Sequence, residues 1–480
     1  MWTQKFHVIF QNRLLKRLLH TKNSIPIFLW ALITILCFLT LRNLDPDPQR
    51  LLAKNDPDKV FYQQFKEQFK AAAEEEFIFI TLTNNKGIFQ KEFLEKVDSL
   101  TNFLGRSPGI LRVYSLTNEH IIFFNGSDIN ARPLIHVGQP EFYQEDSIYL
   151  FQSKEYRDLH ISKDKRSIAI GAFNDPGLTG KQKDELVRSI NSKILQLGFD
   201  ESHFVTKTKI ERNSKGLVIG LVLAFVLILI LFYLLSKSLR ARLVKNKLLI
   251  SGFLIVLAII SAFYISNHEL NFHLSDGVFG KTKADLEFID NNFYGSRPFE
   301  MVVTIKNGQH SFYDIDMMKK VEEIEDFLKD SLSTGAIITP ISLFKGANKA
   351  FHGGENAYFK IPGSVQHVAR FAEAIYQTEY ADEMERYMLP DGSSIRISGR
   401  LPDVGSKEFK SLSKKFDRFF NNRQYSNSFS YRLTGPAILI DRASNSLKNI
   451  FLAFLIAFFL YLLVLLLSLK AKPNKNHFPN

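Results

Sequence analysis

Four apolar runs, at residues 26–41, 216–235, 248–265 and 450–469, contain no Asp, Glu, Lys, Arg or His, and their spacing constrains this chain more than any other feature. A helix rising about 1.5 Å per residue needs about 20 apolar residues to cross a bilayer. The first run has 16, and Asn23, Ser24 and Ile25 can lengthen it. Residues 217–235 are apolar around the whole helical circumference, without the polar stripe of a surface helix. The runs therefore predict four transmembrane helices, with the lipid bilayer as a partner.

Between the runs the chain repeats one layout: a span, a long stretch of mixed α/β pattern, and a second span. Landmarks keep step 222 to 227 residues apart, with Phe77 answered by Phe299, Ser115 by Ser342 and Ser167 by Ser394. Self-similarity at a nearly fixed spacing is the mark of duplication. The expected layout is a basic tail at 1–25, a span at 26–41, a first domain at 42–215, a span at 216–235, a basic linker at 236–247, a span at 248–265, a second domain at 266–449, a span at 450–469 and a tail at 470–480.

The net charge of +12 follows the same layout. Lys5, Arg13, Lys16, Arg17 and Lys22 lie in the first tail, Lys237, Arg240, Arg242, Lys245 and Lys247 in the linker, and Lys470, Lys472 and Lys475 in the last tail. The remainder is close to neutral. Because Lys and Arg concentrate in short cytoplasmic loops, both termini are expected inside and both large domains outside, in a bacterial inner membrane. The basic balance then reports topology and calls for no nucleic-acid partner. No small-x-small cleavage site follows residue 41, so the first span reads as an uncleaved signal anchor. The one cysteine, Cys37, falls within it, which leaves the domains to stand on packing without a disulfide.

Within each domain short β-rich runs alternate with helical ones. The first domain predicts strands at 77–83, 110–116, 167–173 and 203–210 and helices at 90–103 and 180–195. The second predicts strands at 299–305, 335–343, 394–401 and 428–435 and helices at 314–328 and 406–420. Two β-α-β units per domain point to ferredoxin-like α+β subdomains, giving an α+β membrane protein of two tandem repeats. The stretches 119–165 and 351–390 are irregular and aromatic-rich. They could carry binding, or pack on their own domains.

No residues form a convincing catalytic, cofactor or metal site. His268 and His273 are five apart, off the i, i+4 spacing that aims two ligands from one helix face. His352-Gly353-Gly354 has no G-x-S-x-G elbow to accompany it, and no phosphate-binding G-x-x-x-x-G-K-[ST] loop is present. Asp45-Pro46-Asp47-Pro48 and Asp56-Pro57-Asp58 read as turns and helix starts before they read as a cation site. Asn125-Gly126-Ser127 matches a glycosylation sequon too short to carry weight. The chain is therefore expected not to be an enzyme and to need no cofactor, and its substrate-binding residues stay unassigned.

The order LLAKNDPDKVFYQQFKEQF, GILRVYSLTN, FIDNNFYGSRPFEMVVTI and LTGPAILIDRASNSLKNIF resembles the resistance-nodulation-division superfamily, in particular its MMPL-like exporter branch. Gly295 and Pro298 would shape a turn there and Gly435-Pro436 would end a strand. The resemblance implies porter-type domains that handle a hydrophobic or lipid-like compound. It also implies twelve spans, where this chain has four runs, and a proton relay in the missing ones. No ionisable residue lies inside the four runs to replace that relay. The expectation is a reduced exporter that takes energy from a multi-span or energy-supplying partner, with homo-oligomerisation open. The alternative is a non-transporting scaffold or regulator, which would show a filled core and a flat exposed patch in place of an apolar cleft between subdomains.

Overall fold

Ile78, Ile80 and Leu82 alternate along one strand with Phe77, Phe79 and Thr81, so each face of that strand needs its own cover. The way both faces are covered organises the molecule. In the computed structural model, residues 52–206 and 280–442 are described apart from short gaps, together with scattered helical positions within 251–263 and 452–459. Residues 47–213 and 270–445 make up one compact unit, and residues 1–46, 214–269 and 446–480 a second, which is described only at those scattered positions.

In chain order the first half contains α1 (Pro57–Gln68), β1 (Phe77–Thr83), α2 (Lys91–Gly105), β2 (Ile110–Tyr114), β3 (His120–Asn125), β4 (Asp128–Pro133), α3 (Tyr143–Gln152), α4 (Lys154–His160), β5 (Ser167–Asn174), α5 (Gly180–Leu197) and β6 (Glu201–Thr206). The second half contains α6 (Lys281–Asn292), β7 (Arg297–Ile305), α7 (Ile315–Leu332), β8 (Gly335–Ile338), α8 (Pro340–Phe351), α9 (Val365–Tyr376), α10 (Ala381–Tyr387), β9 (Ser394–Leu401), α11 (Gly405–Asn422) and β10 (Phe429–Thr434). The sheet orders are β2-β5-β1-β6 and β10-β7-β9-β8. Numbered within each domain, both run 4-1-3-2, the arrangement of a β-α-β-β-α-β ferredoxin-like unit. The repeat extends to one hydrogen bond. The hydroxyls of Thr83 and Ser167 lie 2.8 Å apart at the corner of the first sheet, and those of Thr304 and Ser394 lie 2.9 Å apart at the same corner of the second.

One face of each sheet is covered by its own two amphipathic helices. Leu94, Val97, Leu100 and Leu104 of α2 and Leu186, Ile190 and Ile194 of α5 pack on Ile78, Ile80, Ile168 and Ile170. Met318, Val321, Ile324 and Leu328 of α7 and Phe409, Leu412, Phe416 and Phe420 of α11 pack on Phe299, Met301, Ile395 and Ile397. The opposite faces exchange covers. Leu286, Ile289 and Phe293, from α6 and the residue after it, lie on Phe77, Phe79, Ala169 and Val205 of the first sheet. Tyr62, Phe65 and Phe69, from α1 and the residue after it, pack with Val302 of the second sheet. Helix α1 starts where Asp56 accepts hydrogen bonds from the Asp58 and Lys59 amides with Pro57 at the first position, so the Asp-Pro-Asp motif is a helix cap.

Two expectations for local structure are corrected. The stretch 335–343 is a strand only to Ile338, since Pro340 opens α8 with its fixed φ and missing amide donor. The stretches 119–165 and 351–390 are not irregular. The first contains the β3–β4 hairpin with α3 and α4, the second α9 and α10.

The expectation of a four-span, multi-pass inner-membrane protein is also corrected. Among the described residues no helix is long and apolar enough to cross a membrane. The longest, α5, α7 and α11, have 18 residues each and are amphipathic, with one apolar stripe buried and the opposite side lined by Lys, Glu and Asp. The runs at 26–41 and 216–235 lie outside the described residues, and those at 248–265 and 450–469 are described only at scattered positions.

Phe293 is fully buried between α6 and the first sheet, edge-on to Phe79 with ring centres 6.0 Å apart. Phe293→Ala is expected to destabilise the fold by about 3–5 kcal/mol, read from urea unfolding. A fragment of residues 47–213 is expected to stay unfolded alone and to fold when co-expressed with residues 270–445. Folding of the lone fragment with native-like stability would contradict the exchange.

Candidate functional site

The two halves meet along the segments that the sequence singled out as aromatic-rich. Lys349, near the end of α8, is buried and forms an ion pair with Glu155 at the start of α4. Its ammonium lies 4.7 Å from the ring centre of Tyr149, 5.7 Å from that of Tyr156 and 5.8 Å from that of Phe359. Burial pulls the lysine below its ordinary value against the opposing attraction of Glu155. The same burial pushes the Tyr156 phenol well up.

Main-chain and amide bonds frame this pair. The Tyr149 hydroxyl donates to the Gly354 carbonyl at 2.9 Å, and the Ser153 hydroxyl donates to Asn356 Oδ1 at 2.8 Å. Asn356 Nδ2 donates to the Tyr149 carbonyl at 3.1 Å. The rings of Phe124 and Phe351 stack with centres 4.0 Å apart. Gly354 sits at φ +78°, and a Cβ there would meet Ile121 Cγ2 at 2.9 Å. A side chain at this position would push the hairpin off α8, so the glycine is required by close approach.

A second contact lies where α6 crosses β6. His203 Nδ1 is 3.0 Å from Asp285 Oδ1 and His203 Nε2 is 3.1 Å from Glu201 Oε1. The imidazole stacks on Phe288 at 3.7 Å between centres. Lys281 reaches Asp285 at 3.1 Å, and its hydrogen bond and that of His203 hold the Asp285 carboxyl below its ordinary value despite burial. On the far sheet, the buried Arg396 makes a two-pronged pair with Glu300 at 2.7 and 2.8 Å.

A separate groove of about 1160 Å³ opens on the first domain between α2 and α5. Phe103, Leu178 and Leu186 contribute its apolar lining. Gly109, at φ +84°, allows Leu178 to lie directly over the backbone, since a Cβ there would come within 2.8 Å of Leu178 Cδ1.

The residues weighed in the sequence fall elsewhere. His352 is packed, with Nδ1 against the Asn348 carbonyl and its ring stacked on Tyr358 at 4.0 Å, while the Gly353-Gly354 turn serves the junction. His268, His273, Cys37 and Asp45 to Pro48 lie outside the described residues, as do Gly126 and Ser127 of the sequon. Gly295, at φ +124°, turns tightly against Leu401, where a Cβ would meet the Leu401 carbonyl carbon at 2.4 Å. Gly435 follows the last residue of β10. Among the described residues no cluster of His, Cys, Asp or Glu could hold a metal ion. The groove was not foreseen, because its lining comes from helix positions that read in sequence only as ordinary polar faces.

No protein-family model matches the chain, and no curated protein matches it. The resistance-nodulation-division resemblance read from the residues therefore remains an expectation.

Replacing Lys349 by Met is expected to cost about 3–5 kcal/mol by stranding the Glu155 carboxylate. Adding Glu155→Gln should recover a good part of that loss, a coupling that a double-mutant cycle in urea measures directly. Glu119 gives a separate, pH-dependent signal. Burial raises its carboxyl to about 7. A raised carboxyl favours the protonated folded state, so its stabilising contribution is complete below the ordinary value and is lost as pH rises through about 7. Glu119→Gln should therefore shrink the fall in unfolding midpoint between about pH 5 and about pH 8. An unchanged fall would rule Glu119 out as its source.

Proposed function

We propose that this chain is a non-catalytic scaffold: two ferredoxin-like domains locked together to hold partner-binding surfaces at a fixed relative position. The observation that carries the reading is the reciprocal exchange of α1 and α6. Each helix starts in one half and covers the open sheet face of the other, so separating the domains would uncover the apolar face of Phe77, Phe79, Ala169 and Val205 on the first sheet and Val302 with the buried Arg396–Glu300 pair on the second. The buried Lys349–Glu155 pair and its aromatic surround add a directional constraint at the same junction.

Transfer of a hydrophobic or lipid-like compound, the function implied by the family resemblance, calls for an apolar cleft that opens between the two domains. The contact around Lys349 is filled with side chains and polar bonds, which favours the scaffold. In this reading a partner supplies any chemistry or energy, and the chain supplies geometry.

The test is a distance measurement. Spin labels at Glu92→Cys on α2 and Lys414→Cys on α11, both exposed, with Cys37 replaced by Ser, should give one narrow distance distribution by pulsed electron resonance. It should stay unchanged on adding dodecanoate or a phospholipid. A broad or two-peaked distribution, or one that shifts with the hydrophobe, would favour transfer.

A further inference from the structure

The two exchanged helices are fastened by one clip built twice. Two residues along the central strand from the Thr83–Ser167 and Thr304–Ser394 corners, Thr81 faces His203 on β6 and Val302 faces Arg432 on β10. His203 and Arg432 therefore hold the same place in their sheets. Each meets an acid and an aromatic ring that stand three residues apart on the covering helix, Asp285 and Phe288 of α6 or Asp58 and Phe61 of α1. His203 Nδ1 is 3.0 Å from Asp285, and its ring centre is 3.7 Å from that of Phe288. Arg432 donates to Asp58 at 3.2 Å, and its guanidinium lies 4.0 Å from the centre of the Phe61 ring. A second cation completes each clip, with Lys281 3.1 Å from Asp285 and Arg442 2.9 Å from Asp58.

The copies differ in the chemistry of the strand cation. An arginine keeps its charge throughout the range in which proteins work, whereas histidine changes charge between about pH 5 and about pH 8. His203 is bonded on both sides, with Nε2 3.1 Å from Glu201. A neutral imidazole has one N–H to donate and an imidazolium has two, so contacts to both carboxylates fit the charged ring. Asp285 depends on that charge. Its Oδ2 has no hydrogen-bond partner among the described residues. The other donor to Oδ1 is Lys281, whose side chain is 68% exposed, so water weakens its hold. Burial opposes the Asp285 charge, but the bonds from His203 and Lys281 keep the carboxyl below its ordinary value, so it stays ionised while a histidine titrates. Strand β1 beneath has no ionisable residue, which leaves Asp285, Lys281 and Glu201 as the charged groups facing His203 among the described residues.

We infer that α6 is held by a proton-operated clip: with His203 charged the helix is fastened over the first sheet, and as pH rises through the histidine range it loosens, while the arginine clip holds α1 over the second sheet throughout. The sign follows from which form is partnered. The charged imidazole is the one that both carboxylates stabilise, so the hold is complete on the acid side and is lost on the alkaline side. Loosening α6 would bare Phe77, Phe79, Ala169 and Val205, so pH would govern the exposure of one apolar sheet face and leave the other covered. The switch needs only the two covering helices and holds whether or not partners dock on the scaffold.

The experiment is hydrogen–deuterium exchange of the full-length chain read by peptide mass spectrometry, with labelling times scaled for the chemical effect of pH on exchange. The chain carries Glu119→Gln, which removes the other group argued above to titrate in the same window. Protection of 281–292 is expected to fall about tenfold between about pH 5 and about pH 8, the difference between a charge-assisted and a neutral hydrogen bond. Protection of 57–68 should not change. His203→Arg should make α6 as indifferent to pH as α1. Arg432→His, at a half-exposed position that tolerates the change, should give α1 a pH-dependent loss of its own, and this variant decides the matter if His203→Arg does not fold. Unchanged protection of 281–292 across the range would overturn the proposal. So would an equal fall in both helices, a fall that persists in folded His203→Arg, or an α1 that stays indifferent to pH in Arg432→His.

Discussion

A four-stranded sheet has two faces and its own two helices cover only one of them, and this mismatch governs the whole arrangement. Each sheet uses α2 and α5, or α7 and α11, on one face and leaves Phe77, Phe79, Ala169 and Val205, or Val302 beside the buried Arg396–Glu300 pair, on the other. Leaving such faces in water costs about 25 cal/mol per Å² of apolar surface. The chain resolves the mismatch by lending each half's leading helix to the other half.

Apolar cover alone is indifferent to small slides and rotations, because the hydrophobic effect has no direction. Direction comes from the polar contacts. Arg396 grips Glu300 in the plane of the guanidinium, His203 is held between Asp285 and Glu201, and Lys349 points into three rings with Glu155 at its tip. Each burial of charge is unfavourable unless its partner is correctly placed. The pairs therefore discriminate among packings that the apolar faces would treat alike.

Much of the fold was legible because the strongest signals are local. Strand β9 begins and ends at the residues the alternation predicted, Ser394 to Leu401, and α5 and α11 differ from their predicted spans by no more than two residues at either end. Pro340 was the missed local cue, since Thr339 followed by Pro340 is itself a helix-start pattern. The helix exchange could not be read in the same way. The apolar stripes of α1 and α6 show that each needs a partner but not which sheet provides it. The apolar runs were read on hydropathy alone, whereas the described helices are amphipathic and none can span a bilayer. The groove escaped because it is made by Gly109, Leu178 and two helix faces far apart in sequence.

The exchange of leading helices also bears on what half of this chain could be. A single repeat would hold a sheet with a bare face and a helix with nothing to cover. Two identical single-repeat chains could satisfy both needs only by trading helices as a twofold pair. In the present chain that symmetry is written into one polypeptide and then broken. Arg396 occupies the second sheet at the level where the first has the small Ala169, and a bulky aromatic helix lies over one while a leaner one lies over the other. Once the two faces differ in this way, neither half can serve as its own partner. Each half's leading helix is thus matched to the sheet of the other half and not to its own.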